Sequence, residues 1–197
     1  MKDLSVVIVN YNTIVQSLAC IRSVFKSKTK LYIDVWVVDN GSTDGSADII
    51  KKMFPHVNLI ANRKNLFYSQ ANNLALKKFR SKYFLILNSD VIIRPNSLQQ
   101  MYDFMENHQD CGLSGCRQID SKGQTLLTSH RSHSPFTQIC LLPPYYKFMK
   151  YTAILNHFTY ADWLRKDIKQ VDTIPGSFIF GRVKILKKIG YLDENMP

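Results

Sequence analysis

In the stretch LILNSDVII, residues 85–93, a run of Leu and Ile stops at Asn88-Ser89-Asp90 and resumes as Val91-Ile92-Ile93. A short continuous apolar run that breaks into polar residues has the pattern of a strand buried on both faces. An acid at the mouth of such a strand is held rigidly and still reaches solvent. That suits a hard divalent cation that keeps several waters and shares itself with diphosphate oxygens. The simpler alternative is an Asp that caps a turn.

Upstream of this stretch the pattern repeats. Short β-rich runs, LSVVIV (4–9), YIDVWVV (32–38), VNLIA (57–61) and YFLIL (83–87), alternate with segments of helical spacing. Val15, Leu18, Arg22 and Phe25 mark the first helix, Ala47, Ile50 and Phe54 the second, and Leu74, Leu76 and Phe79 the third. Pro95 and the following NSLQQMYDFMENH predict a fourth helix, and CGLSGC a further strand. Strands alternating with helices predict an α/β fold, three layers deep with a mostly parallel central sheet.

In such sheets ligands bind beyond the carboxyl ends of the strands, where the connecting loops gather. Three predicted strands end in polar clusters: Asn10-Tyr11-Asn12, Asp39-Asn40-Gly41-Ser42-Thr43-Asp44, and Asn88-Ser89-Asp90. Their equivalent placement points to one site. Asp39, at a strand tip, is placed to accept a hydrogen bond from a nucleobase imide. The DNGSTDGS run is also good turn and helix-cap chemistry, with Ser42, Thr43 or Asp44 taking up free amides.

The chain has 197 residues, 45% of them hydrophobic, with 8 Gly and 7 Pro, which fits one globular domain without low-complexity linkers. Its net charge of +11 implies attraction to a polyanion. No zinc-finger or RNA-binding aromatic signature accompanies the charge, so nucleic acid is not the expected partner. Cys20, Cys111, Cys116 and Cys140 lack zinc-site spacing and read as reduced thiols. Asn10 and Asn12 interrupt the first apolar run before a signal-peptide core is complete, so the expected location is cytoplasmic.

VVIVNYN, VVDNGSTDGS and LILNSDV, in this order and spacing, closely resemble the inverting family 2 glycosyltransferases of GT-A fold, including their rhamnosyltransferase-like branch. The resemblance runs from residue 4 to the C-terminus. It implies a single GT-A domain, Rossmann-like in its nucleotide-binding half, over residues 1–197. Residues 1–116 would be that nucleotide-sugar-binding half and 117–197 an incomplete acceptor-side half. It implies that Asp39 reads the base of a nucleotide-sugar, UDP- or dTDP-linked, with Asn10, Tyr11, Asn12 and Ser89 lining the pocket. Asp90 would be the retained acid of the family's Asp-x-Asp metal motif, holding Mg2+ or Mn2+.

KNLFYSQANNLAL, residues 64–76, is similar to the family's Asn-x-Gly-Phe stretch, and Asn65, Asn72 and Asn73 match its donor-contacting positions. Phe67 stands where the family has Gly, which tolerates positive φ and close approach of a ligand. Near the end, VDTIPGSFIFGRVKILKKIGYLDENMP resembles the acceptor-side segment with its Gly-x-x-Asp-Glu turn. The family's catalytic acid follows that turn in a Glu-Asp type motif, which the sequence up to Pro197 does not contain. Inverting transfer needs a carboxylate to take the acceptor hydroxyl proton. Asp193 and Glu194 are the nearest acids, and the resemblance makes them turn residues, so the catalytic base is unassigned.

Residues 143–169 set Tyr145, Tyr146, Phe148, Tyr151, Phe158, Tyr160 and Trp163 among Lys147, Lys150, Arg165, Lys166 and Lys169. Such a mixture suits peripheral contact with an anionic membrane, at the inner face of the cell membrane. It equally suits an amphipathic helix covering the sheet with solvated lysines. HRSHS, residues 130–134, has no third ligand at useful spacing and reads as a loop from which Arg131 can meet an anion.

The expected function is transfer of a sugar from a nucleoside-diphosphate sugar to a glycan or lipid-linked acceptor in bacterial surface polysaccharide synthesis. The rival from another class is a catalytically incomplete nucleotide-sugar-binding or regulatory module. A fold relic acting as a peripheral membrane protein is the third.

Overall fold

A computed structural model describes residues 2–132, 134–149, 152–161, 163 and 165–195. Two compact units make up the chain, one from residues 1–114 with 176–197 and the other from 115–175.

The first unit alternates strand and helix as its sequence periods require: β1 (Leu4–Asn10), α1 (Ile14–Phe25), β2 (Ile33–Asp39), α2 (Ser46–Met53), β3 (Asn58–Ala61), α3 (Phe67–Leu76), β4 (Tyr83–Asn88) and α4 (Ser97–Asn107). The strand predicted at CGLSGC is only the two-residue β5, Leu113–Ser114. In the second unit lie α5 (Pro135–Leu141), α6 (Pro143–Met149) and α7 (Ala153–Phe158). The chain then returns to the first unit as β6 (Phe178–Arg182) and α8 (Val183–Ile189).

The sheet order is β3-β2-β1-β4-β6-β5. β1 to β4 are mutually parallel, and β6 runs antiparallel to both of its neighbours. The parallel register sets Asn10 beside Asp39, and Val9 beside Asn88, so the polar strand ends are flush.

Strand alternation divides the core in two. Val7, Val38, Phe84 and Ile86 face α3 and α8 in one buried cluster with Ala71, Ala75, Leu76, Phe79, Val183 and Leu186. The alternate residues Leu4, Val6, Ile8, Leu85 and Leu87 are buried on the other face, where the ring of Tyr102 in α4 meets Tyr83 edge-on. Each such side chain contributes about 1.5–3 kcal/mol by burial.

α1 forms where its spacing predicts it, but it buries Ser17, Cys20, Ile21 and Val24 and leaves Val15 and Phe25 exposed. Two faces of this helix carry apolar residues, and packing buried the one through Cys20, Ile21 and Val24. Gly181 lets β6 fit between its neighbours: a Cβ there would lie 2.5 Å from Leu113 Cδ2 and 2.7 Å from Phe84 Cε1. The next residue, Arg182, donates to the carbonyls of Met105 (2.6 Å) and His108 (3.0 Å) and to the Tyr83 hydroxyl (2.9 Å). A cation thereby satisfies carbonyls at the C-terminal end of α4.

In the second unit, residues 143–169 do not form one amphipathic helix. α6 and α7 are separate, Phe158 and Tyr160 are buried, and Tyr145, Tyr146 and Phe148 are exposed. Arg165 is buried too, with its guanidinium donating to the carbonyls of Thr159 (3.0 Å), Tyr160 (3.2 Å) and Trp163 (3.0 Å). Three of the twelve aromatic and basic residues of the stretch, Phe158, Tyr160 and Arg165, therefore belong to the unit's own interior. Tyr151 and Lys150 lie outside the described residues.

Candidate functional site

Asn10, fully buried at the end of β1, is the hub of the site. Its Nδ2 donates to Asp39 Oδ1 (2.7 Å) and Ser42 Oγ (3.0 Å), and its Oδ1 accepts from Ser17 Oγ (2.6 Å) and Thr13 Oγ1 (3.0 Å). All four capacities of the amide are used. Asp39, 3% exposed, also accepts the Ser42 amide through Oδ2 at 3.2 Å. Each of its oxygens keeps a second lone pair for a ligand donor.

The third cluster is tied to the first by Thr13 Oγ1, 3.1 Å from Ser89 Oγ. Asp90 follows in the turn after β4; it is exposed and has no hydrogen bond or ion pair among the described residues. Its charge still reaches inward: burial, with the Asp90 charge adding to it, pushes the Cys20 thiol up to about 12. Among the described residues no three His, Cys, Asp or Glu side chains gather to hold a metal. A cation at Asp90 would therefore take this single carboxylate, with waters and ligand oxygens supplying its other positions, which is how hard cations are often bound beside phosphates.

Beside Asp39 the loop 62–67 is pinned by Asn40, also 3% exposed. Asn40 donates to Asn65 Oδ1 (2.8 Å) and accepts the amide of Leu66 (2.9 Å), while the Phe67 amide donates to Asn65 Oδ1 (2.8 Å). Gly41, at φ +82°, allows this approach, because a Cβ there would stand 2.7 Å from the carbonyl carbon of Lys64. Phe67 keeps the left-handed backbone that Gly would adopt, at φ +57°, with its ring 60% exposed. Tyr11 and Asn12 lie on the exposed β1–α1 loop, and Asn12 accepts the Thr43 amide at 2.8 Å. Asp44 accepts amides from Ile14 (3.3 Å) and Ser46 (3.1 Å), joining the starts of α1 and α2, and these donors with the Ser46 hydroxyl hold its carboxyl below the usual range.

Asn72 and Asn73 are both buried in α3. Asn72 donates to the Tyr68 carbonyl at 2.9 Å, and its Oδ1 has no partner among the described residues. Asn73 is engaged elsewhere: it donates to Leu192 O (2.8 Å) and Glu194 Oε1 (2.9 Å) and accepts the Leu192 amide (3.1 Å). Glu194 is ion-paired with Lys77 at 2.7 Å, and Lys77 and Asn73 keep its carboxyl below the usual range. Asp193 accepts from the amide and side chain of Asn195. Both acids near the C-terminus thus stabilise a turn.

Sequence reading singled out Asn10, Asp39, Ser89 and Asp90, and the structure gathers them at adjacent strand ends. It did not single out Thr13, Ser17 or Asn62, which donates to Asn40 at 3.2 Å. Their signal was a polar residue one to seven positions after a strand end, which is common in any loop. Arg131 lies in the second unit, where it donates to the His157 carbonyl (3.1 Å) and covers the Tyr160 ring (4.5 Å).

The glycosyl transferase family 2 sequence model matches residues 5–190. The chain belongs to glycosyl transferase family 2. An uncharacterised glycosyltransferase of Methanocaldococcus jannaschii is 31% identical over 128 residues, covering 62% of this chain and 44% of that protein. The glycosyltransferase GlyG of Streptococcus pneumoniae is 28% identical over 102 residues, covering 50% of this chain and 34% of GlyG. Among solved structures, S. aureus TarS 1-349, also determined in complex with UDP, superposes with a TM-score of 0.66 at 19% identity over 98% of this chain and 51% of that one. The Pyrobaculum calidifontis mannosyltransferase PcManGT in complex with GDP-Man and Mn2+ superposes with a TM-score of 0.65 at 13% identity, covering 99% and 50%. The fold of this family 2 chain is GT-A. It spans about half, or less, of the length of these relatives.

Proposed function

We propose that this family 2 chain binds a nucleoside-diphosphate sugar at the carboxyl ends of β1, β2 and β4 and serves an inverting transferase that builds a cell-surface glycan. The observation that carries the reading is the flush register of Asn10 and Asp39, with Ser89 hydrogen-bonded back to Thr13 and Asp90 next in line. Asp39, held by Asn10 and the Ser42 amide, presents its remaining lone pairs to the base imide. Tyr11 and Asn12 flank it from the exposed loop, and Asn65 sets the neighbouring loop. Asn72 offers a buried acceptor without a partner among the described residues, and such an atom costs about 1–3 kcal/mol until a donor satisfies it. Asn73 acts indirectly, by fixing the turn at Leu192 against α3.

Asp90 is the residue that would hold Mg2+ or Mn2+. When bound, the cation supplies neutralisation of the charge developing on the diphosphate leaving group. Neither Asp193 nor Glu194 is arranged as the base that takes the acceptor proton, since both are occupied in the turn.

Calorimetric titration of UDP, dTDP and GDP, with and without Mn2+, tests the reading. Metal-dependent binding of one nucleotide that disappears in Asp90→Ala is expected. No binding of any of the three, or binding indifferent to both metal and Asp90, refutes it. Release of nucleoside diphosphate from the matching sugar donor then separates a transferase from a module that only binds.

A further inference from the structure

The second unit has a small interior and a large apolar exterior. Its buried cluster consists of Cys140, Leu155 and Phe158, with Leu141 packed against it. Outside, α5 and α6 present Phe136, Ile139, Leu142, Tyr145, Tyr146 and Phe148, all about half exposed or more, with Phe148 at 79%. Single exposed apolar residues are ordinary, whereas six within thirteen positions concentrate exposed apolar surface on two short helices, as interaction surfaces do.

The start of α5 is capped and its end is hydrogen-bonded into α6. Pro135 starts α5, and Ser134 and Thr137 cap it reciprocally, the Thr137 amide donating to Ser134 Oγ (3.1 Å) and the Ser134 amide to Thr137 Oγ1 (2.8 Å). The Leu142 carbonyl accepts the amides of Tyr145 (3.0 Å) and Tyr146 (2.8 Å), which carries α5 directly into α6. Beside them a groove of about 500 Å³, walled by Thr137, Ile154 and Phe158, opens in the same unit.

Charge selects the occupant. Between Asp120 and Asp162 the sequence has no acidic residue, and besides Arg131, which is engaged with His157 and Tyr160, it has the lysines Lys122, Lys147 and Lys150. Among the described residues no helix is long and apolar enough to cross a membrane. A pair of apolar, tyrosine-bearing helices that carries Lys147 and no acid fits the interface of an anionic bilayer, where rings lie at headgroup depth and a lysine meets lipid phosphate, while Asp172 beside the start of α5 is taken up by the Ser132 amide. A protein partner would be expected to offer acids for those lysines and to meet acids in return.

We infer that α5 and α6 form a peripheral docking face for an anionic membrane surface. This moves the contact upstream from the 143–169 segment, because Phe158, Tyr160 and Arg165 are interior and the exposed rings begin at Phe136. The inference stands apart from the nucleotide reading and needs no donor site.

The test is sedimentation of the purified protein with vesicles of phosphatidylcholine alone or mixed with phosphatidylglycerol, using the parent protein, Phe148→Asp and Phe136→Asp. Both rings are exposed, so the substitutions leave the fold intact, which circular dichroism checks. Binding to the anionic vesicles is expected, weakened by salt, with each substitution lowering the partition constant about tenfold or more. Absence of binding, or binding untouched by both substitutions, overturns the inference. So does a concentration-dependent dimer in analytical ultracentrifugation that the same substitutions dissolve, because the face would then belong to a second copy. Asp90→Ala should bind vesicles normally, and the ring variants should bind nucleotide normally, which keeps failure here distinct from failure of the donor-site reading.

Discussion

Replacing Asn10 by Ala should unfold the site from its centre. The substitution removes one hydrogen bond to a carboxylate, Asn10 Nδ2 to Asp39 at 2.7 Å, and three to hydroxyls at 2.6–3.0 Å. It leaves Asp39 and Ser17, 3% and 0% exposed, with fewer partners than their burial requires. A bond to a charged group is worth about 1.5–3 kcal/mol and a neutral one about 0.5–1.5. Because Thr13 and Ser42 reach solvent and recover part of the loss, the net cost works out at about 3–5 kcal/mol. With a urea slope of about 1–3 kcal/mol/M, the midpoint should fall by roughly 2 M. Urea unfolding followed by Trp36 emission in a Trp163→Phe background measures this within the first unit. Asn10→Asp should cost at least as much at neutral pH, since it sets a second carboxylate beside Asp39. A cost below about 1 kcal/mol for Asn10→Ala would refute the view that this amide organises the strand ends.

Gly41→Ala should lose about 2–4 kcal/mol, from a left-handed Ala and a Cβ 2.7 Å from the Lys64 backbone, read by the same urea titration. At position 67 the usual helical ranking should reverse: Phe67→Gly should be more stable than Phe67→Ala by about 1 kcal/mol, because φ is +57° there, and equal midpoints would contradict it. Cys20 titrates near 9.0 when unfolded and about 12 when folded, so its neutral thiol favours the fold up to about pH 9 and stability falls as pH rises from 9 toward 12. Cys20→Ala should flatten that alkaline loss, and a thiol reagent at pH 8 should modify Cys20 only at the unfolding rate.

Much of the site was legible because it sits where the chain changes character. Apolar runs that end in Asn10, Asp39 and Asn88 announce strand ends, and parallel strands put such ends on one edge. What each side chain does there was not legible. Asn65 matches a donor-contacting position, and in the folded chain its Oδ1 receives Asn40 and the Phe67 amide. Asn73 likewise matches such a position, and its partners lie 119 and 121 residues away at Leu192 and Glu194. Phe67 read as a departure from Gly, yet the backbone keeps the conformation Gly would have, held by Asn40 and Asn65.

The sequence alone determined the alternation of strand and helix, the polar strand tips and the glycosyltransferase resemblance, because periodicity and turn chemistry are local. Tertiary structure decided which face of α1 is buried, that β6 returns antiparallel beside β4, and that the aromatic stretch 143–169 divides into interior and exposed parts. It also decided which polar groups at the strand ends satisfy one another and which, like Asp90, stay open. These outcomes depend on strand register and on the requirement that every buried polar group find a partner, and both are set only when distant segments pack together.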